Sequence, residues 1–332
     1  MDRAHPRFGS EGVLVTPRIL MTGAGGFVGT TLVPMLLRDG YHVTALSNRP
    51  QTGLGPANEY LRCDMHDAAA VAAAVKQTQP THIVHLAAVS HVPTSFADPL
   101  LTWRTNVMAS MHLLEAVRLH APHAFVLFTS SSEVYGASFK QGVALDEQSP
   151  CKPMNPYSAS KLAAESAFVE YFRQGMNGVI ARPFNHIGAQ QSAEFVTASF
   201  ARQIAQIEAG KQPPILSVGN IEASRDFLDV RDVCEAYVHL LALPTDREYP
   251  RLFNIASGIP RQIRAMLDVL LSMTDLRILV ELDPQRLRPS DIPVAIGNSE
   301  LLRKVTGWQP NVPVEQTLGE LMNFWRRKME NE

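Results

Sequence analysis

Tyr157 and Lys161 stand four residues apart in a segment, 156–174, that is predicted to be helical. Residues four apart lie on one face of a helix, so a phenol and an ammonium project side by side. A free tyrosine has a pKa of about 10 and is a poor acid or base at neutral pH, and a fixed cation nearby is expected to lower that pKa. The pair therefore predicts proton transfer by Tyr157.

A glycine-rich turn lies near the start of the chain, between a predicted strand and a predicted helix. Gly23, Gly26 and Gly29 have the spacing that permits a tight turn, close approach of a pyrophosphate and close helix packing. Phe27 and Val28 complete the turn. This context predicts a dinucleotide site rather than a merely structural turn.

The end of the second predicted strand carries Ser47, Asn48 and Arg49 and no carboxylate. An NAD site typically places an acidic residue here, on the ribose hydroxyl, so this strand end favours NADP(H) over NAD(H), with Arg49 on the 2′-phosphate. Arg49 is alternatively a solvated loop charge. Asp64 is expected to accept from the adenine amino group or to cap a helix, and Met65 beside it is expected to contact the cofactor.

Ser131 lies just beyond the fourth predicted strand, 125–129, where a side chain would face a bound nicotinamide. Serines after strands are usually turn formers. Together with the tyrosine and lysine, however, Ser131 is expected to donate to a carbonyl oxygen while Tyr157 supplies the proton and Lys161 binds the nicotinamide ribose.

The first half of the chain alternates short β-rich runs with helical stretches, as parallel βαβ units do. It predicts an α/β fold with a doubly wound parallel sheet (Rossmann) and a ligand at the carboxyl ends of the strands. A smaller C-terminal lobe is expected to follow. The predicted organisation is a loose leader at 1–17, a dinucleotide-binding domain at 18–183 and a mainly substrate-binding lobe at 184–332, some segments of which return to the first domain.

Composition excludes several classes of function. The chain has 332 residues and a formal net charge of −2, which gives no general attraction for nucleic acid or anionic lipid. Cys63, Cys151 and Cys234 are odd in number and widely spaced, so neither a disulfide framework nor a metal site is expected, and free thiols suit a cytoplasmic protein. No apolar run resembles a secretory core or a membrane span.

Several segments jointly resemble the extended short-chain dehydrogenase/reductase family, in its nucleotide-sugar-modifying branch. They lie at 22–29, 85–88, 105–107, 130–136 and 157–161. The resemblance covers about 18–325 and implies that Ser131 is the catalytic hydroxyl and that Glu133 occupies the position of a base in sugar 4,6-dehydratases. It also implies further cofactor contacts at Leu86, Ala87, Ala88 and Asn106.

The second half is most similar to the GDP-sugar enzymes, on segments 182–188, 195–197, 219–220, 225–227 and 288–291. Among these it resembles reductases of GDP-6-deoxy-4-keto-mannose. The related GDP-mannose 4,6-dehydratases usually carry tryptophan after the Arg-Asp pair, where this chain has Phe227.

A sugar diphosphate carries two negative charges, so Arg225 and Arg288 are expected to act as phosphate clamps. The alternative for each is an inter-lobe salt bridge. Asp291 is expected to bind the two donors of guanine. The predicted substrate contacts are completed by Ser132, Glu133, Asn185, His186 and Val196. For His186, a buried histidine with satisfied hydrogen bonds is an equal interpretation. Glu133 alternatively binds a sugar hydroxyl.

The resulting hypothesis is NADPH-dependent reduction of the 4-keto group of GDP-6-deoxy-4-keto-D-mannose to GDP-D-rhamnose, with the stereochemistry at carbon 4 left open. The alternatives are a GDP-mannose 4,6-dehydratase and a non-catalytic NADP-binding sensor. The resemblance also implies a homodimer, formed by the predicted helices 100–119 and 156–174. Apolar residues that would serve the interface, or else the core, are Met108, Met111, Leu114, Phe168 and Phe172.

Overall fold

The structure is a computed structural model that describes residues 16–48, 56–244, 248–287 and 292–331. Three predicted site residues, Arg49, Arg288 and Asp291, lie outside the described residues, as does nearly all of the predicted leader.

The strands are short and alternate with helices. In chain order they are β1 Arg18–Thr22, β2 His42–Ser47, β3 Glu59–Arg62, β4 His82–His85, β5 Phe125–Thr129, β6 Gly178–Pro183, β7 Asn185–Ile187, β8 Ile215–Val218, β9 Ser224–Asp229, β10 Leu252–Ile255, β11 Pro260–Gln262, β12 Leu279–Leu282 and β13 Val294–Ala295.

The helices are α1 Phe27–Arg38, α2 Ala68–Thr78, α3 Val92–Ala97, α4 Pro99–Trp103, α5 Ala109–His120, α6 Pro156–Arg173, α7 Val196–Glu208, α8 Val230–Leu241, α9 Ile263–Leu271, α10 Glu300–Thr306 and α11 Val314–Glu330. A π-helical turn, Arg104–Met108, joins α4 to α5, and a short 3-10 helix, Ser132–Tyr135, follows β5. The prediction of one helix over 100–119 is therefore wrong in detail, because the π turn interrupts it.

Seven strands form one parallel sheet in the order β10-β6-β5-β4-β1-β2-β3. The chain runs outward from β1 to β3 and then returns to β4 on the other side of β1, so the order reverses between β1 and β4. A crevice at the carboxyl ends of the strands is the expected ligand site at such a reversal. The sheet confirms the predicted α/β, doubly wound fold class.

Helices cover both faces of this sheet, which explains why its central strands are apolar along their length. All five residues of β5 are buried. On one face, Leu32 of α1 and Tyr237 of α8 belong to a single core cluster. On the other, Val71 of α2, Leu113 of α5 and Phe168 of α6 form a second one.

A third core cluster builds the smaller lobe from α7, α9 and α11, with Phe200, Leu267 and Leu321 among its buried residues. Beside it, β9 pairs with β7, β11 and β13, while β8 pairs with β12. Two elements beyond residue 184, α8 and β10, pack in or on the main sheet. The two parts of the molecule are thus interleaved, and a lobe boundary at residue 184 stays a prediction.

Candidate active site

Ser131, Tyr157 and Lys161 meet at the carboxyl end of β5. Helix α6 begins just before the tyrosine, since Asn155 caps it by accepting from the backbone N–H of Ser158 at 2.8 Å. Ser131 lies two residues after the end of β5. Its hydroxyl caps the short 3-10 helix by accepting from the Glu133 N–H at 3.2 Å. Both side chains are therefore positioned by helix starts.

Tyr157 is buried, and its pKa is raised to about 12. Burial is the main cause; the charge of Glu133 also raises this pKa, while the hydrogen bond with the Ser131 hydroxyl lowers it. The prediction that Lys161 brings the pKa of Tyr157 down is wrong for this structure, because desolvation of the phenolate outweighs every favourable interaction. Tyr157 is consequently protonated at neutral pH, so a proton is available here for transfer to a strongly basic oxygen.

Lys161 is buried beside the end of β5. Its Nζ donates to the carbonyl oxygen of Thr129 at 2.6 Å and lies 4.9 Å from the centroid of the Phe128 ring. Burial lowers the pKa of this ammonium to about 8, and the nearby carboxylate of Glu165 opposes that shift. The lysine is thus mostly charged at neutral pH and has further N–H donors for a ligand.

Glu133 and Ser132 lie on the 3-10 helix that follows Ser131. The Glu133 carboxylate accepts from the Asn155 side-chain amide at 3.2 Å and is close enough to Tyr157 to raise its pKa. Ser132 is buried. The structure brings these residues close to Ser131 and Tyr157, and their roles toward a substrate stay predictions.

The glycine-rich turn forms a cradle that side chains would fill. Gly23 has φ +72°, and a Cβ there would lie 2.8 Å from the backbone nitrogen of Ala87. A Cβ on Gly29 would lie 2.4 Å from the carbonyl oxygen of Ala24. Among the described residues, no side chain caps α1 at Gly26 and no acidic residue stands in its first turn. The helix start, with Phe27 and Val28, therefore fits the pyrophosphate of a dinucleotide.

Ser47 and Asn48 end β2 next to this cradle, because Leu46 pairs with Thr22. Asp64 follows β3, where its carboxylate accepts from the backbone N–H of His66 at 2.9 Å. The alternative prediction that Asp64 caps a helix is wrong, since Asp67 caps α2. Met65 packs against the core cluster below α2.

Residues 86–89 follow β4, and hydrogen bonds anchor this loop to Thr22 at one end and to Asn106 at the other. Backbone N–H groups of Leu86 and Ala87 donate to the carbonyl and hydroxyl oxygens of Thr22, at 3.3 and 3.2 Å. Asn106, in the π turn, accepts from the Val89 N–H at 2.8 Å and donates to the Val89 carbonyl at 3.1 Å. Ala88 lies between these two anchored points. The predicted cofactor contacts Leu86, Ala87 and Ala88 therefore belong to one loop, and Asn106 holds that loop by hydrogen bonds.

Four of the predicted substrate residues, Asn185, His186, Val196 and Arg225, lie in the part of the chain that follows β6. Asn185 and His186 lie on β7, beside β9 with Arg225, and Val196 begins α7. The His186 ring stacks on Phe27, with centroids 6.1 Å apart, and burial lowers the pKa of His186. One guanidinium nitrogen of Arg225 donates to the carbonyls of Ser224 and Ile292, both at 2.8 Å.

An ion pair that sequence reasoning missed lies one helical turn beyond Lys161. Glu165 accepts from two nitrogens of Arg182, at 2.9 and 2.6 Å, and from the hydroxyl of Ser130. Its position offered a signal: Glu165 follows Lys161 by four residues and so shares its helix face.

Two further predictions concern metals and membranes. The part of the chain that the structure describes contains no group of three or more histidine, cysteine, aspartate or glutamate side chains placed to hold a metal ion. Within the same residues, no helix combines the length and the hydropathy needed to cross a membrane.

The fold and the site define an NAD(P)-dependent oxidoreductase of the extended short-chain dehydrogenase/reductase class. The family profile described as GDP-mannose 4,6 dehydratase matches residues 20–321, and the chain belongs to that family.

Two curated relatives cover nearly the whole chain. The GDP-6-deoxy-D-mannose reductase of Pseudomonas aeruginosa is 33% identical over 96% of this chain and 100% of its own length. The GDP-mannose 4,6-dehydratase of Sinorhizobium fredii is 28% identical over 91% of this chain and 95% of its own length. Among solved structures, RMD from Pseudomonas aeruginosa complexed with NADPH is similar, with a TM-score of 0.82, 32% identity and coverage of 94% and 100%.

Proposed function

We propose that this protein reduces the 4-keto group of GDP-6-deoxy-4-keto-D-mannose with NADPH and forms GDP-D-rhamnose. The observation that carries the proposal is a buried tyrosine, hydrogen-bonded to the Ser131 hydroxyl and one helical turn from Lys161, at the same carboxyl edge of the sheet as the glycine cradle. Reduction of a ketone consumes a proton, and such a tyrosine holds one at neutral pH. The reductase of Pseudomonas aeruginosa supports the same substrate class.

The residues of the chain supply positioning and the proton. When bound, NADPH provides the hydride for the carbonyl carbon. Tyr157 donates its proton to the developing alkoxide, and the Ser131 hydroxyl stabilises the same oxygen by a hydrogen bond. Lys161, held by the Thr129 carbonyl, keeps its charged N–H groups one helical turn from Tyr157, where they are proposed to bind the nicotinamide ribose.

The second lobe is proposed to bind the GDP moiety. Arg225 presents its guanidinium from β9, where the main chain already fixes one of its nitrogens. Arg288 and Asp291 complete the proposed diphosphate and guanine contacts, and Asn185, His186 and Val196 line the path of the sugar. The absence of a carboxylate at Ser47 and Asn48, with Arg49 next in sequence, supports NADP(H) as the cofactor.

A second candidate, the GDP-mannose 4,6-dehydratase reaction, is favoured by the proximity of Glu133 to Tyr157. That reaction requires a base at carbon 5 of the hexose, and Glu133 is a carboxylate in the catalytic group. The two candidates differ in their net use of cofactor: the reductase consumes NADPH, whereas the dehydratase returns its cofactor to the starting state.

The test mixes purified protein with NADPH and synthetic GDP-6-deoxy-4-keto-mannose, follows absorbance at the NADPH band, and identifies the product by NMR. Stoichiometric loss of NADPH with formation of GDP-D-rhamnose is expected. Formation of a 4-keto product from GDP-mannose and NADP⁺, with no NADPH consumption in the first assay, would support the dehydratase instead. Tight NADPH binding without turnover of either sugar would support the sensor.

We also propose a homodimer in the cytoplasm. Exposed apolar side chains gather on α4, the π turn and α6: Leu100 is 82% exposed, Met108 51% and Val169 54%. Leu114 and Phe168, also considered for the interface, are buried in the core. A second copy that covers the exposed side chains would remove them from water. The three free cysteines are consistent with a reducing compartment.

A further inference from the structure

Five buried polar residues are linked by hydrogen bonds beneath the active site, through their side chains and, at Asn106, also through its backbone carbonyl. They are at most 1% exposed and comprise Thr22, His85, Ser110, Asn106 and Ser160. The contacts run from the Thr22 hydroxyl to His85 Nδ1 at 2.7 Å, and from His85 Nε2 to the Ser110 hydroxyl at 2.9 Å. Buried polar groups are costly unless their partners are complete, so this chain requires an explanation.

The direction of each hydrogen bond follows from the available protons. The Ser110 hydroxyl donates to the backbone carbonyl of Asn106 at 2.7 Å, so it must accept from His85 Nε2–H. Burial and the charge of Lys161 keep His85 neutral, which leaves Nδ1 as an acceptor for the Thr22 hydroxyl. One tautomer of His85 therefore satisfies both neighbours.

The same chain continues to the catalytic helix. The side-chain amide of Asn106 donates to the Ser160 hydroxyl at 3.0 Å, and that hydroxyl donates to the Tyr157 carbonyl at 2.7 Å. At the opposite end, the Thr22 hydroxyl accepts from the Ala87 N–H at 3.2 Å, directly below the glycine cradle. His85 thus connects the end of β1 with the π turn and α6.

We propose that His85 is a positioning residue that holds the dinucleotide cradle and the Tyr157 helix in register through two hydrogen bonds of fixed direction. The inference deepens the proposed function and rests on it for the catalytic readout. Its Nδ1 side fixes Thr22 and hence the cradle, and its Nε2 side fixes Ser110, Asn106 and hence α6.

Two substitutions separate these sides. In His85→Asn, the amide oxygen takes the place of Nδ1 and retains the Thr22 bond, but the link to Ser110 is lost. In His85→Gln, the longer side chain places its amide nitrogen near Nε2 and retains the Ser110 bond, but the link to Thr22 is lost. The Asn variant is expected to lower kcat, and the Gln variant to weaken NADPH binding, each roughly 10- to 100-fold.

His82→Asn is the matched control. His82 is also a buried histidine on β4, but it lies at the opposite end of the strand from the active site. The His82→Asn variant is expected to have a lower Tm and an unchanged kcat and NADPH Kd. The experiment measures kcat with the keto-sugar, the Kd of NADPH by fluorescence titration, and Tm by circular dichroism for the three variants and the unmodified protein.

The proposal is overturned if both His85 variants lower Tm as His82→Asn does while kcat and Kd stay unchanged, or if the two losses fall on the opposite parameters. Ser110→Ala provides a milder test should a His85 variant not fold. This substitution removes the hydrogen bond between His85 and Ser110, as His85→Asn does, and is expected to lower kcat alone. An unchanged kcat in Ser110→Ala would also overturn the proposal.

Failure of the proposed function is recognised separately. If the unmodified protein consumes no NADPH with the keto-sugar, the reaction assignment is wrong. The Kd of NADPH needs no sugar, so weaker binding in His85→Gln than in His85→Asn still supports the positioning role, and equal binding in both contradicts it.

Discussion

Glu165 and Arg182 form a two-point ion pair inside the protein, with only 6% and 5% of their side chains exposed. The pair lies one helical turn beyond Lys161 and also holds the hydroxyl of Ser130, the neighbour of Ser131. A carboxylate in this position does two things. It neutralises Arg182, and it supports the charge of Lys161, whose pKa burial alone would lower further.

Glu165→Gln is therefore expected to change the pH dependence of turnover. If charged Lys161 is the active form, activity falls as pH rises through its pKa of about 8. Removal of the carboxylate lowers that pKa further, so the falling limb of the kcat profile should move to lower pH. The variant should also lose about 3–5 kcal/mol of stability, because Arg182 is left buried without its partner.

The matched control for this substitution is Glu170→Gln, on the same helix. Glu170 pairs with Arg173 at the surface, where ion pairs contribute little. Its pH profile and Tm should match those of the unmodified protein. A falling limb at the same pH in Glu165→Gln and in the unmodified protein would show that Glu165 has no electrostatic effect on Lys161.

Tyr157→Phe removes the proton and little else, since the ring stays in its buried position. Turnover should fall by about 100-fold or more, the usual contribution of a positioned acid, while the NADPH Kd remains within a few-fold of the unmodified value. Steady-state kinetics and fluorescence titration measure the two quantities. Equal turnover in the variant would assign the proton to another group.

Lys161 should lower the stability of the cofactor-free protein. Its folded pKa of about 8 lies below the ordinary 10.5, so the charged form is disfavoured on folding. The difference between these two pKa values corresponds to about 3 kcal/mol in the free energy of unfolding. This stability is lost in full below pH 8 and is regained as the pH rises toward 10.5, because the unfolded chain binds the extra proton in that interval.

Lys161→Met is accordingly expected to raise Tm at pH 7 and to show a smaller difference at pH 10. Thermal unfolding without cofactor at both values measures this, and Lys152→Met, outside the buried core, is the control. A lower Tm for Lys161→Met at pH 7 would mean that the hydrogen bond to Thr129 outweighs the cost of burying the charge.

Local patterns predicted much of this fold. A helix follows the glycine-rich turn as predicted, and the bounds of β5 agree with the structure, because an apolar run with flanking polar residues marks the ends of that strand. The strand β3 was not predicted, since it lies at the sheet edge and its four residues are only partly buried or exposed, without an apolar run. An edge strand depends on its neighbour for its conformation.

The candidate site, too, was predicted where local spacing determines it and was missed where tertiary packing does. Tyr157 and Lys161 could be paired from their spacing, because α6 fixes their relation. The pKa of Tyr157 was predicted in the wrong direction, because burial depends on the whole fold and is not visible in four residues. The Glu165–Arg182 pair joins a helix to a strand 17 residues further on, and only the packing of α6 against β6 creates it.

The proposed dimer gives the last prediction. Leu100, 82% exposed, and Trp103, 42% exposed, stand on α4, which packs beside α6. Leu100→Glu with Trp103→Glu would place two carboxylates in the proposed interface, where unpaired charges are strongly disfavoured. The variant should therefore elute as a monomer of 36.6 kDa in size-exclusion chromatography with light scattering.

Leu282→Glu is the matched control for this test, because Leu282 is 62% exposed on β12 in the second lobe, away from α4. It should keep the oligomeric state of the unmodified protein. The change at α4 leaves Ser131, Tyr157 and Lys161 unaltered, so a folded monomer with retained NADPH binding would locate the interface without disturbing the cofactor site. A dimer that survives both carboxylates would place the interface elsewhere on the molecule, since two desolvated charges would disrupt any interface centred on these side chains.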